Sequence, residues 1–322
     1  LQTNIQAKCI VFLYYSDGGL IKFPIAFRLF YKEAGNPMPW QKGKKSHKTK
    51  NVLALEMLEW AQNAGFPKAT VLADSWFCVA PFIKGLNLLE LPYILEAKCN
   101  YQLKCDCVKP KLTPKGRLAK NQFNLNSLPD YFQNISSFIE CGFDRDLETK
   151  KPQKTLYHAK TATVCFKAFP WKNRVVQSID PVLGTTKYLI TNQFQFEAAK
   201  MISAYSNRWV VEEFFRNAKQ LSDMEGATIR SEQGVTLSLC LVSWIDFLLH
   251  HENYKHTAEG SQKESLSIPS IVRQTQAENM EAFIEKVQND EKFVQKLIKT
   301  TKDNINHPRK VTKELVNLNY KP

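Results

Sequence analysis

Tyr205-Ser206-Asn207-Arg208-Trp209-Val210-Val211-Glu212-Glu213-Phe214-Phe215-Arg216-Asn217-Ala218-Lys219-Gln220 is the stretch from which the rest of the chain is read. It holds no Gly or Pro, so its pattern predicts one uninterrupted helix. At about 100° per residue, Tyr205, Arg208, Glu212 and Lys219 fall at roughly 0°, 300°, 340° and 320°, a stripe about 60° wide along roughly 21 Å of helix. Arg216 falls at about 20° on the same wheel. Val210, Val211, Phe214, Phe215, Ala218 and Leu221 occupy the opposite side, so the buried face is separate from the charged one. One acid among cations and a phenol admits two readings. It is either a solvated face stapled by Arg208 and Glu212 at i,i+4, worth only a few tenths of a kcal/mol, or a site facing a groove.

Charge narrows the choice. Lys and Arg outnumber Asp and Glu by 44 to 31 over 322 residues, a net charge of +13, which favours a polyanionic partner such as nucleic acid. No uninterrupted apolar run approaches the ~20 residues of a membrane span, and no basic start followed by an apolar core marks a signal peptide. A soluble, cytoplasmic protein is expected. The eight cysteines, Cys9, Cys78, Cys99, Cys105, Cys107, Cys141, Cys165 and Cys240, are expected as free thiols, because Cys99, Cys105 and Cys107 lack the paired spacing of a zinc ribbon. His250 and His251 are read as ending an apolar helix, where the helix dipole accounts for them.

Working outward, residues 8–16 read as a buried strand, Asp17-Gly18-Gly19 as a turn and residues 21–31 as the return strand of a hairpin, with Pro24 at a bulge or edge. Residues 35–50 form a basic loop suited to phosphate contact or to plain solvation. A helix over residues 50–64 ends at Gly65-Phe66-Pro67. Ala69-Thr70-Val71-Leu72-Ala73 reads as a strand buried on both faces, ending at Asp74 ahead of an apolar helix. An acid there is either a helix N-cap or a group at the carboxyl end of a central strand, where open α/β sheets place their chemistry. Residues 91–99 and 187–191 read as further strands. Between them, residues 100–184 form a β-rich insertion with basic loops. An apolar helix over residues 237–251 is expected to pack on the sheet, and residues 253–322 form a polar tail with one helix near residues 280–297.

Two motifs in this order, Ala73-Asp74-Ser75-Trp76-Phe77 and the Tyr205/Arg208/Glu212/Lys219 spacing, with Tyr188-Leu189-Ile190-Thr191-Asn192 as a weaker third, resemble those of bacterial insertion-sequence DDE transposases carrying a Tyr-Arg-Glu-Lys signature. The resemblance implies an α/β fold with an RNase H-like mixed sheet flanked by helices. Residues 1–99 and 185–252 would form the discontinuous catalytic core, 100–184 the insertion and 253–322 a partly helical tail. It implies metal-dependent cleavage and strand transfer on double-stranded DNA, transposon ends and target, with Asp74 and Glu212 as catalytic ligands of two Mg²⁺ or Mn²⁺ ions. Tyr205, Arg208, Lys219 and Arg216 would hold phosphates, and a homodimer on DNA is expected. The family's first Asp lies on a strand ahead of the one at residues 8–16. That strand is not found here, Asp17 reads as a turn-former, and the chain is expected to be N-terminally truncated and inactive alone. Alternatives are a degenerate, non-catalytic DNA-binding remnant and a basic nucleic-acid-binding scaffold without nuclease ancestry.

Overall fold

Asp17 closes the first hairpin. Its Oδ1 accepts the Gly19 and Ile21 amides at 2.7 and 3.2 Å, and Gly18 takes φ +83°, a conformation that glycine adopts without strain. The flanking strands, β1 (Cys9–Ser16) and β2 (Lys22–Phe30), pair antiparallel. Their register jumps between Leu13↔Ala26 and Tyr14↔Pro24, so the expected bulge sits beside the proline, which has no N–H to give the ladder. The structure is a computed structural model that describes residues 9–30, 48–104, 126–136, 138–145, 153–169, 171–180, 182–222, 224, 231–258 and 267–306. Most of the basic 35–50 loop lies outside the described residues. Of its end, Lys48 pairs with Glu56 at 2.6 Å and Lys50 lies over the Phe30 and Trp76 rings.

Helix α1 (Lys50–Asn63) starts where the Thr49 side chain accepts the Val52 amide. It buries Leu53, Met57 and Ala61, spaced i, i+4, i+8, the first two against Val11 of the hairpin. Its other flank, with Leu55 and Leu58, packs on the core beneath the main sheet. Helix α2 (Ala80–Leu88) approaches so closely that a Cβ on Gly85 would overlap the Leu55 side chain. Through α1 the hairpin and the main sheet share one core.

The main sheet is mixed. Strand β3 (Val71–Ala73) runs parallel to β4 (Tyr93–Ala97), connected through α2, and β4 pairs antiparallel with β10 (Thr186–Thr191). Outward from β10 come β9 (Lys172–Ile179), β8 (Gln153–Phe166), β5 (Gln102–Lys104) and β6 (Asn126–Ser127), with β7 (Ile139–Arg145) also on β8. A short capped helix, α3 (Leu128–Gln133), follows β6. The strands of residues 100–184, expected to make a β-rich fold of their own, are thus hydrogen-bonded into the core sheet, because β9 pairs along the whole of β10. Strand β3 was expected at the sheet's centre and buried on both faces. It is half-buried, and among the described residues it pairs with β4 alone, as β1 pairs with β2 alone. Alternation along β4 sends Tyr93, Leu95 and Ala97 to the α2 side and Ile94 to the opposite side, where Met201 and Ile202 cover it.

The predicted single helix at Tyr205 is two: α4 (Ala198–Ser206) and α5 (Trp209–Leu221). The chain stays in the helical region at Asn207 (φ −63°, ψ −15°) and Arg208 (φ −57°, ψ −28°). Its bonds there tighten to i→i−3, from Arg208 to Tyr205, Val210 to Asn207 and Val211 to Arg208, at 3.0 to 3.2 Å. The Ser206 hydroxyl donates back to the Ser203 carbonyl at 2.6 Å, a bond that bends helices. Composition alone did not reveal the kink. Beyond it, α5 buries Val210, Phe214 and Ala218, and the Phe214 ring lies 4.9 and 5.4 Å from the rings of Phe12 and Tyr14.

Helix α6 (Glu232–Ala258) is longer than the expected 237–251 and packs on the hairpin, with Phe247 edge-on to Phe23 at 5.9 Å. Over Glu232–Lys255 it is long and apolar enough, by length and composition, to cross a membrane. Interspersed Ser and Thr hid this from a search for uninterrupted apolar runs. His250 is therefore interior to the helix and half-buried, not at its end. Its Nε2 lies 3.9 Å from Asp246 Oδ1, while Tyr14 donates to Asp246 Oδ2 at 2.7 Å. The second compact unit holds α7 (Ile268–Asn289) and α8 (Glu291–Asn306) where one helix was expected. The chain turns at Asp290, whose side chain accepts the Phe293 amide at 2.9 Å. Cys9, Cys78, Cys99, Cys141, Cys165 and Cys240 are free thiols. Cys105 and Cys107 lie outside the described residues.

Burial raises Asp246 to about 6 against the opposing Tyr14 hydrogen bond and Lys22, and burial together with Lys22 lowers His250 to about 4. Between these values the folded chain holds an Asp246 proton that the unfolded chain releases, so this group favours unfolding as pH rises. His250 acts in the opposite sense, because the unfolded imidazole takes a proton that the folded one refuses. In a His250→Leu variant, stability measured by urea unfolding is expected to fall as pH rises from about 4 to about 6, with a flatter profile for the parent over that window.

Candidate active site

Asp74 follows directly on β3, and its Oδ1 accepts the Trp76 amide at 2.9 Å. The N-cap of α2 is Val79, so Asp74 shapes a turn and does not cap the helix. Its carboxylate is exposed. The ladder ends at Ala73↔Leu95, and Asp74 and Glu96 are the residues that follow that pair in sequence. Glu96 was not anticipated from the sequence. A lone acid in the apolar run Tyr93-Ile94-Leu95-Glu96-Ala97, alternating onto the α4 face, was the available signal.

Glu96 meets the opening stretch. The Tyr205 hydroxyl donates to Glu96 Oε2 at 2.9 Å, and Tyr205 is 6% exposed. Burial first, and the Glu96 charge second, push the phenol well above its ordinary range, so it stays protonated and donates. Tyr205 therefore does not stand on a solvent-facing stripe with Arg208. It ends α4 facing the sheet, and the Arg208 guanidinium lies over its ring at 5.6 Å, with Lys187 at 5.9 Å. From there Arg208 reaches Glu212, Nη2 to Oε1 at 2.5 Å, as the i,i+4 spacing predicted. Burial disfavours the Arg208 charge, but Tyr205, Glu212 and Asp74 together outweigh it. Arg208 is thus the group that senses both Glu212 and Asp74.

Arg208, Glu212, Arg216 and Lys219 fall within about 80° on the α5 wheel, and Arg216 and Lys219 are exposed. The hairpin tip reaches the same place. A Cβ on Gly18 would lie 3.3 Å from Asn207 Nδ2, while Asp17 spends its carboxylate on the turn, as read from the sequence. Arg208 is thus paired with Glu212 and lies within electrostatic reach of Asp74 at the end of β3.

The sequence model of the transposase DDE domain family matches residues 41–245, 205 of the 322 residues. The chain belongs to the DDE transposases. The mixed sheet with flanking helices is accordingly the RNase H-like fold of that family, and the matched span contains Asp74, Glu96, Tyr205, Arg208, Glu212 and Lys219. No curated protein matches the chain. DNA is the partner of DDE transposases, and their chemistry uses divalent metal ions. The oxygens of Asp74 and Glu212 suit hard cations, yet among the described residues no group of three or more His, Cys, Asp or Glu stands close enough to hold one.

Tyr205→Phe removes the donor to Glu96 while keeping the ring beneath Arg208. It is expected to cost about 1–2 kcal/mol, because a half-buried carboxyl group loses its hydrogen-bond donor. Urea unfolding of the variant measures this, and an unchanged midpoint would mean the bond does not hold α4 to β4.

Proposed function

We propose that this chain carries the catalytic domain of an insertion-sequence transposase that cuts DNA at transposon ends and joins the freed 3′-OH to a target. The observation that supports it best is Arg208, ion-paired with Glu212 and charged in the field of Asp74, which links the two carboxylates of the matched domain at one sheet end. Asp74 and Glu212 serve as metal ligands. When bound, two Mg²⁺ or Mn²⁺ ions activate the attacking oxygen and stabilise the leaving one of an in-line displacement.

The chain's own side chains bind and orient. Arg208 keeps donors beyond those used on Glu212 and presents them to a phosphate oxygen. Arg216 and Lys219, about two and three turns beyond Arg208 along α5, follow the DNA backbone. Tyr205 acts through Arg208 as a positioning residue and does not itself hold a phosphate, because its hydroxyl is committed to Glu96. A second reading, a DNA-binding remnant without cleavage, draws support from the lack of a third acid near Asp74 and Glu212 among the described residues.

Two measurements test these readings. Glu212→Ala is expected to reduce Mg²⁺- or Mn²⁺-dependent cleavage of transposon-end DNA by a hundredfold or more, on the order of 3 kcal/mol of barrier, while DNA is still bound. A parent chain that binds DNA without cutting it fits the remnant and equally the inactivity expected from the sequence for this chain alone, and one that does not bind DNA removes both. Arg208→Ala and Lys219→Ala are each expected to shallow the slope of log K against log salt by about one phosphate contact. Unchanged slopes would return both residues to ordinary surface charge.

A further inference from the structure

Trp76 stands on the turn that Asp74 builds. Its backbone amide donates to Asp74 Oδ1 at 2.9 Å, and the Phe77 amide donates to the Asp74 carbonyl at 3.2 Å. The two aromatic neighbours then part. Phe77 turns inward, and its ring lies 5.4 Å from that of Phe82 among the core side chains. The Trp76 indole stays outside, 58% exposed. Two residues of chain span at most about 7 Å, so a short, hydrogen-bonded piece of backbone ties this ring to the Asp74 carboxylate.

Single exposed apolar side chains are ordinary on a protein surface, and exposure alone assigns nothing to Trp76. Its surroundings set it apart. Trp60 and Trp244, also exposed, rest against Phe66 and Phe247 at 6.2 and 5.6 Å. Among the described residues Trp76 meets no other ring, and its partner is a cation. Lys50 Nζ, at the start of α1, lies 5.1 Å from the indole centroid and 5.2 Å from the ring of Phe30 at the end of β2. An ammonium over an aromatic face holds the ring in one orientation and covers only part of it, which leaves the rest of the indole open.

We propose that the open part of Trp76 is a stacking platform for an unpaired nucleobase of the DNA strand whose phosphate lies at Asp74, with Lys50 beside it for an adjoining phosphate. The proposal rests on reading Asp74 as part of a DNA-cutting site. Every base has a π-face, and aromatic side chains take such faces up with little regard to sequence. In a duplex both faces are already covered by neighbouring base pairs, so the platform favours a strand end that has lost its partner, such as the one that cleavage frees. A protein partner would call for an anchor in a well-packed, desolvated setting. Here the ring stands between a carboxylate and an ammonium, the setting of a nucleotide, whose base stacks while its phosphate meets a point charge.

The test needs neither cleavage nor the sequence of a transposon end. The probes are a blunt DNA duplex and the same duplex extended at one 3′ end by unpaired thymines, in Ca²⁺, a hard cation suited to carboxylate oxygens. The parent chain is expected to bind the extended duplex about tenfold more tightly than the blunt one. Trp76→Leu is expected to lose that advantage while keeping its affinity for the blunt duplex and its salt slope, since stacking releases no counterions. Trp76→Phe should retain most of the advantage, and Lys50→Ala should shallow the salt slope on the extended duplex by about one phosphate contact. With 5-iodouracil in the extension, irradiation of the unaltered protein should join the DNA to Trp76, located by mass spectrometry. A parent that binds both duplexes equally overturns the proposal, as does a Trp76→Leu variant that keeps the preference or weakens on both duplexes alike. Absence of a crosslink at Trp76 overturns it too. A parent that binds neither duplex removes the DNA-cutting reading as well, whereas the other failures leave that reading standing.

Discussion

The bond from Tyr205 to Glu96 decides the shape of the charged end of this molecule. It ties the last turn of α4 to β4, the strand whose register also sets the place of Asp74. With the phenol turned inward, its ring becomes the platform on which Arg208 lies, and from that platform Arg208 reaches Glu212. The acid on β4 thereby influences the acid on α5 through two intermediates, although the two carboxylates belong to elements more than a hundred residues apart. A buried tyrosine is well suited to the task, since burial itself keeps it protonated and able to donate.

Much of this was legible because it rests on local rules. The Asp17-Gly18-Gly19 turn, the bulge at Pro24, the α1 helix with its stop at Gly65 and the strand ending at Asp74 each follow from a few neighbouring residues and their backbone preferences. The Arg208–Glu212 pair was legible for the same reason, being four residues apart on one helix. What escaped depends on partners distant in sequence. Glu96 looked like an ordinary residue of an apolar strand until α4 lowered Tyr205 onto it. The kink at Asn207 and Arg208 escaped because neither residue leaves the helical region. The change lies in which carbonyl each amide selects, and a Ser206 hydroxyl competing for its own backbone shifts that choice.

The same limit applies to α6. A wheel drawn on its sequence shows an apolar helix without distinguishing its sides, and only the hairpin reveals which side is satisfied. The inner side combines apolar packing with a buried carboxylate that Tyr14 holds by a hydrogen bond, a costly group to bury unless it is paired. Such a device fixes the rotation of the helix more sharply than apolar contacts do, because turning α6 by one residue would strand Asp246. The exposure of Leu237, Leu241 and Trp244 is therefore enforced by the inner side.

The joint between α4 and α5 makes helix phase a functional variable. Had Tyr205 and Glu212 shared one regular helix, their relation would follow from the helical lattice alone. They sit instead on either side of a joint that the hairpin tip at Gly18 approaches at Asn207. One residue added there would turn α5 by about 100° and advance it by about 1.5 Å, leaving both helices intact while Glu212 faced elsewhere. The three-residue step from Tyr205 to Arg208 thus works as a gear setting, in which a change of count alters the chemistry while the parts on either side keep their form.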